Sequence, residues 1–192
     1  MEEKVVKKVV YPEKFGPLRR YILSIILKDE PGALARVVGL FSGRGYNIDG
    51  LSVAPVDEER NFSRITLVCR SYDNDTMRQI MNQLIKLIPV ARVRNLTDDP
   101  DRVEEELVLL RIDADDSKHD EIEKIFRDQR EYGMTYYSAN DCYRCTCAGI
   151  DARKLRQIIK QLEPFGNIAI ARSGVVSLGG PHVLADSEVR KD

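Results

Sequence analysis

Residues 28–55, "KDEPGALARVVGLFSGRGYNIDGLSVAP", carry the most specific local pattern of the chain. An acid, Asp29, precedes a Pro-Gly turn at Pro31 and Gly32, a dipeptide that marks a change of chain direction. Leu34, Val37, Val38 and Phe41 then recur at i, i+3, i+4 and i+7, which places them on one face of a helix. Gly43 and Gly45 stop that helix. "NIDGLSVAP" follows as a strand ending near Pro55. The residues just before the stretch, "YILSIILK" at 21–28, form a short Ile- and Leu-rich run typical of a buried strand. The unit is therefore strand, turn, helix, strand.

Working outward, "VDEERN" reads as a hairpin connection. In "FSRITLVCR", Ile65, Leu67 and Cys69 alternate with Arg64, Thr66 and Val68, a period-two strand. "DNDTMRQIMNQLIKLI" is a second helix with Met77, Ile80, Met81, Leu84 and Ile88 on one side, and "VARVRNL" is a fourth strand. The order βαββαβ is the ferredoxin-like arrangement. The polar "TDDPDRVEE" serves as a linker, and the grammar then repeats: strand "ELVLLRIDA", a helix capped by Asp116 or Ser117, hairpin strands "GMTYYSA" and "DCYRCTCAGI", a helix capped by Asp151, and strand "NIAIARSGVV". The expected class is α+β with two ferredoxin-like βαββαβ domains. The expected divisions are an N-terminal extension 1–19, a first domain 20–97, a linker 98–105, a second domain 106–178 and a flexible tail 179–192. Each half has helices on one side of its sheet. The remaining face or edge must be covered, and pairing of two copies is a common solution.

Composition narrows the function classes. The chain of 192 residues is 43% hydrophobic and 32% charged with a net charge of −1, which gives no general attraction to nucleic acid or to an acidic membrane surface. No apolar run is long enough to span a bilayer, and Lys7 and Lys8 interrupt the N-terminal apolar pairs, so a secretory signal is not expected. Three of the four cysteines, Cys142, Cys145 and Cys147, crowd into one short segment, a poor layout for a disulfide framework. A reducing, cytoplasmic setting is expected.

No P-loop, dinucleotide fingerprint or nucleophile elbow occurs. What the opening stretch offers is binding. A helix starting near Gly32 leaves its first N–H groups without intrahelical partners, and with the helix dipole these favour a carboxylate. Gly32 has no Cβ, so a ligand can approach the backbone. Asp29 supplies a negative charge able to meet an ammonium group, and Asn47 offers both a donor and an acceptor. A carboxylate site beside an ammonium site describes a free α-amino acid. The plain alternative is a capped helix after an ordinary turn.

"D-E-P-G-A-L" after a strand, followed by "GLFSGRGYNI", resembles an ACT domain, a regulatory module that binds amino acids. More narrowly, residues 20–55 followed by "SRITLV", "QLIKLIPVARV" and the late "IARSGVV" resemble the small regulatory subunit of acetolactate synthase (acetohydroxyacid synthase). The resemblance is dense from Arg20 to about Leu96, weak from Asp98 to Asn167, and returns at "IARSGVVSL". It implies a noncatalytic subunit that activates a separate large subunit carrying thiamine diphosphate, Mg²⁺ and FAD, and needs no cofactor of its own. It also implies feedback inhibition by valine or another branched-chain amino acid, and a homodimer whose ACT domains join side by side into one eight-stranded sheet. Carried over by position, Asp29, Gly32, Ala33 and Leu34 fall on the effector-binding turn, and Asn47 and Ile48 on the return strand of the other copy. Many relatives have Asn where this chain has Asp29. The runner-up is an amino-acid sensor of ACT type serving another enzyme or a transcription factor. A small ferredoxin-like enzyme is the third reading, disfavoured by the missing catalytic constellation.

"DCYRCTC" invites a metal reading with His119 or His182 as the fourth ligand. On a strand, however, Cys145 and Cys147 share one face and Cys142 the other, so free thiols are expected and no metal site. His119 is expected to face solvent, and Arg172 to form a structural ion pair.

Overall fold

The computed structural model describes residues 18–57, 59–129, 135–139, 142–148, 152–181 and 188–190. The elements are β1 (Arg19–Lys28), α1 (Ala33–Ser42), β2 (Ile48–Asp57), β3 (Phe62–Ser71), α2 (Asn74–Leu84), β4 (Val90–Asn95), β5 (Val103–Ala114), α3 (His119–Arg127), β6 (Thr135–Ala139), β7 (Cys142–Ala148), α4 (Ala152–Leu162), β8 (Gly166–Leu178) and β9 (Glu188–Arg190). Two antiparallel sheets have orders β2-β3-β1-β4-β9 and β6-β7-β5-β8. Apart from β9, both follow one scheme: the first and third strands of each half lie in the centre, flanked by its second and fourth. The two ferredoxin-like domains are therefore present.

In the first half, Tyr21, Leu23, Ile25, Leu27, Ile65, Leu67 and Cys69 alternate toward the helices and form one core with Val37, Phe41, Met77, Ile80 and Leu84. The second core joins Val108, Leu110 and Ile112 to Ile122, Phe126, Leu155, Ile158 and Leu162. Asp73 caps α2: it accepts from the Thr76 N–H at 2.6 Å and from the Thr76 hydroxyl at 3.1 Å. Those two donations hold its carboxyl below the usual range.

Several expectations are corrected. The buried stripe of α1 is Ala33, Val37, Leu40 and Phe41, while Leu34 is 37% exposed. Each residue turns a helix by about 100°, and including Ala33 and Leu40 rotates the stripe away from Leu34 and Val38. Ile88 is 86% exposed rather than inward, because α2 ends at Leu84, ahead of Pro89, which disfavours helix in the residue before it. The linker expected at 98–105 is shorter, since β5 begins at Val103. Within the tail expected to be flexible over 179–192, Glu188–Arg190 form β9, which pairs with β4 through Arg92↔Arg190, Val93↔Val189 and Arg94↔Glu188. A free sheet edge presents unpaired backbone groups, and a short strand suffices to satisfy them. Lys118 rather than Ser117 stands at the N-cap of α3, and the Asp116 side chain lies outside the described residues. Asp115 accepts from the Ser117 N–H at 2.8 Å, closing a 3₁₀ turn that precedes α3.

The back of the first sheet is covered from within the chain. β5 and β8 pair along their whole lengths, from Val103↔Leu178 to Ala114↔Gly166. One end of this ribbon lies on the first sheet, with Val175 packed on Ile22, Val68 and Leu96. The other end belongs to the second sheet. Arg20 on β1 pairs with Glu104 on β5, and Arg172 pairs with Glu106 as expected.

Cys69 is 1% exposed, and burial, reinforced by the nearby Asp49 charge, pushes its thiol up to about 12. The thiolate is the reactive form, so native Cys69 should resist alkylation at pH 8 and react only after unfolding. The unfolded chain releases this proton near the ordinary 9.0 and the native chain near 12, so the thiol's contribution to stability is lost as pH rises across that interval. Mass-spectrometric mapping of iodoacetamide adducts checks this. Native labelling of Cys69 as fast as in the unfolded chain would contradict it.

Candidate functional site

The turn between β1 and α1 is built around Gly32, whose φ of 83° lies in the left-handed region that only glycine enters without strain. No side chain caps α1. The Ala33 N–H donates to the Glu30 carbonyl at 3.1 Å and the Arg36 N–H to the Gly32 carbonyl at 3.0 Å. The N–H groups of Leu34 and Ala35 lie between them, in the first turn where a helix supplies no acceptor. A Cβ built on Gly32 would meet nothing within 4 Å, so this end of the helix is open.

Asp29 is exposed beside that opening, and its backbone is clamped from the β2–β3 hairpin. The Asp29 N–H donates to the Asn61 carbonyl at 2.8 Å, and Asn61 Nδ2 donates to the Asp29 carbonyl at 2.6 Å. Asn61 takes a left-handed φ of 58°, a conformation Asn tolerates well. It is a positioning residue that the sequence reading missed. Its signal was an Asn closing a polar hairpin. Around the turn, Glu30 pairs with Arg36 at 2.8 Å, and the Lys28 ammonium sits 4.7 Å from the centre of the Phe62 ring.

Asn47 and Ile48 lie elsewhere. After α1 the chain reverses at Gly45, φ 71°, with the Tyr46 N–H bonded to the Phe41 carbonyl at 3.0 Å and the two rings edge to face. Asn47 Nδ2 then donates to Asp49 Oδ1 at 2.7 Å, and Asp49 accepts from Arg70 Nε at 2.6 Å. Ile48 opens β2 opposite Cys69. The helix between Gly32 and Asn47 has ten residues, or roughly 15 Å of rise. The structure thus brings Asp29, Gly32, Ala33 and Leu34 together, and Asn47 with Ile48, at opposite ends of α1. One free amino acid does not span them within one chain. A cleft of about 520 Å³ between α1 and α2, lined by Arg36, Leu40, Arg44, Gln83, Lys86 and Leu87, contains none of the six residues.

Cys142, Cys145 and Cys147 stand on β7 in register with Asp113, Leu110 and Val108, respectively. Their side chains, and all of His182 and Asp151, lie outside the described residues. His119, Asp120 and Glu123 have ligand-capable atoms within 4.8 Å of one another, but the Glu123 carboxylate is already engaged by Arg127 at 3.1 Å. No described helix is long and apolar enough to cross a membrane.

Comparison with known proteins agrees with both halves. Residues 23–92 match a family model described as an AHAS small subunit-like ACT domain, and residues 105–180 match one described as the small subunit of acetolactate synthase. The chain is 35% identical over 175 residues to the acetolactate synthase small subunit of Aquifex aeolicus, covering 88% of each chain. It is 39% identical over 163 residues to the isozyme 3 small subunit of Escherichia coli, covering 83% of this chain and 94% of that one. The crystal structure of the small subunit from Thermotoga maritima superimposes with a TM-score of 0.73 at 26% identity, covering 86% of this chain and 99% of the other. An ACT domain followed by the family's own second domain, and relatives matched over nearly their whole length, place this chain in the acetolactate synthase small-subunit family.

Proposed function

We propose that this chain is the noncatalytic regulatory subunit of an acetolactate synthase: it activates a catalytic large subunit and delivers feedback inhibition by valine or a related branched-chain amino acid. The relatives' names support the regulatory role. The observation that carries the effector site is the separation of its two halves to opposite ends of α1. Two copies meeting side by side bring the Asp29–Gly32 turn of one against Asn47 and Ile48 of the other. The edge available for that meeting is β2, since β9 covers the outer edge of β4. β2 is exposed over Val53–Val56, with Val53 48% and Val56 50% accessible. In the assembled site the free N–H groups of α1 receive the ligand carboxylate, Asp29 meets its ammonium group, and Leu34 and Ile48 meet its branched side chain. Ligand shifts activity only through unequal affinity for two states of the complex. The catalytic partner supplies thiamine diphosphate, Mg²⁺ and FAD.

The test is to add this chain to its cognate catalytic subunit. The chain alone forms no acetolactate from pyruvate, and the mixture turns over faster than the catalytic subunit alone until the small subunit saturates. Unchanged turnover at saturating small subunit would sink the proposal.

A further inference from the structure

The β5–β8 ribbon is not straight. Its register shifts between Glu106↔Val175 and Val108↔Arg172, so that Leu107 alone faces both Ser173 and Gly174. Two residues against one is a β-bulge, and Gly174 within it takes a left-handed φ of 77°, a conformation that favours glycine. The Leu107 N–H donates to Ser173 Oγ at 3.1 Å in place of a ladder bond. On one side of the bulge the ribbon lies on the first sheet, where the Ser177 N–H reaches Thr66 Oγ1 at 3.4 Å. On the other side it becomes the central and edge strands of the second sheet.

The bulge sits directly on β2. Ser52 Oγ–H donates to the Ser173 carbonyl at 3.0 Å. A Cβ on Gly174 would stand 2.9 Å from Ser52 Oγ and 3.1 Å from the Leu51 carbonyl oxygen, so β2 lies against the bulge too closely for a side chain at that position. Ser52 is four residues along β2 from Ile48, roughly 13 Å of strand. The β2–β3 register shifts between Ile48 and Gly50 and then runs unbroken from Gly50 to Pro55. That run moves as a unit, so a displacement passed along β2 to Gly50 reaches Ser52, and there it must either carry the bulge with it or break the contact.

We infer that the Ser173–Gly174 bulge is the joint through which amino-acid occupancy at the β2 edge is passed to the second domain, with Ser52 and Gly174 as its positioning residues. The inference rests on the proposed effector site and adds the route of its regulation. A bulge is a natural pivot because its extra residue bends the strand without breaking the pairing on either side. Close-packed contacts switch between discrete arrangements rather than stretching, which gives the joint two positions for a ligand to choose between.

The test uses the full complex with its catalytic subunit and measures three quantities for wild type, Ser52→Ala and Gly174→Ala. These are the calorimetric Kd for valine, the activation without valine, and the residual activity at saturating valine. Amide exchange is followed over 103–114 and 166–178 with and without valine. Ser52→Ala should leave activation and Kd within about threefold of wild type, while residual activity rises about fivefold, the scale of one lost hydrogen bond in a coupling equilibrium. Valine-induced exchange changes in the second domain should vanish with it. Gly174→Ala should act in the same direction more strongly. If it fails to assemble, Ser52→Ala decides alone. Wild-type inhibition and exchange responses in Ser52→Ala overturn the joint, and so does a loss of inhibition that merely tracks a weakened Kd. A wild-type complex that binds no branched-chain amino acid overturns the effector reading and the joint together.

Discussion

Replacing Asp29 by Ala should weaken valine binding by about 10- to 150-fold, the cost of one charge-assisted hydrogen bond in a desolvated site. The turn itself should survive, because both hydrogen bonds that hold it use the Asp29 backbone and Asn61. Asn47→Ala should act in the same direction but less cleanly, since it also removes the contact to Asp49 at 2.7 Å and so disturbs the Asp49–Arg70 pair. Gly32→Asp should be the most severe of the three, placing a negative charge where the ligand carboxylate belongs. Its left-handed φ of 83° means that any side chain there carries strain, on the order of 1–2 kcal/mol. Gly32→Ala shares the strain without the charge and separates the two effects. None of these positions belongs to the buried stripe Ala33, Val37, Leu40 and Phe41. The expected phenotype is a complex that assembles and is activated but ignores valine. Inhibition curves and calorimetry with the catalytic subunit present check it, and wild-type sensitivity in Asp29→Ala, Asn47→Ala and Gly32→Asp alike would show that the effector binds elsewhere.

The largest stability effect should come from Asp99, a residue with no role in the effector site. Its side chain is 3% exposed and accepts from Arg94 Nη2 at 2.9 Å, the Gly180 N–H at 3.0 Å and the Asp101 N–H at 3.1 Å. Arg94 also donates to the Gly180 carbonyl at 3.1 Å. The carboxylate thus ties β4, the connection to β5 and the exit of β8 into one knot. Gly179 and Gly180 pack without room for a side chain: a Cβ would fall 2.8 Å from Asp99 Oδ2 at the first and 2.5 Å from Asp101 Cβ at the second. Asp99→Ala takes the counter-charge from a largely buried guanidinium and the acceptor from two N–H groups, a loss of about 3–5 kcal/mol. For a chain of this size that corresponds to a Tm lower by roughly 6–20 °C. The control is Arg19→Ala, whose ion pair with Asp98 is exposed on both sides and should change stability by less than about 1 kcal/mol. Thermal and urea unfolding of the isolated chain decide it. A loss no larger for Asp99→Ala than for Arg19→Ala would show that the knot contributes nothing.

Most of the architecture was legible because it depends on neighbours in the chain. The alternation in residues 62–70, the turn chemistry of Pro31-Gly32 and the glycines after α1 each act within a few residues, where backbone sterics and periodicity suffice. The repeat of the same pattern after Leu96 then specified a second domain of the same kind. The turn proposed to bind the effector was readable for the same reason: an open helix start, an acid and a glycine are all local. Even so, the local reading put Leu34 in the core, because a helical stripe's centre is set by the sheet beneath it and not by the helix alone.

Local pattern alone thus specified the two βαββαβ units, their order and the groups that the Asp29–Gly32 turn presents. Long-range packing, by contrast, set the two halves of the proposed effector site at opposite ends of α1, laid β9 on β4 with β2 left open, and brought Ser52 to Ser173 across 121 residues of chain. The physical reason is common to all three. Strand edges and sheet backs are satisfied by whichever segment can reach them, and that competition is settled by packing over the whole molecule, leaving no periodic trace in the residues that win it.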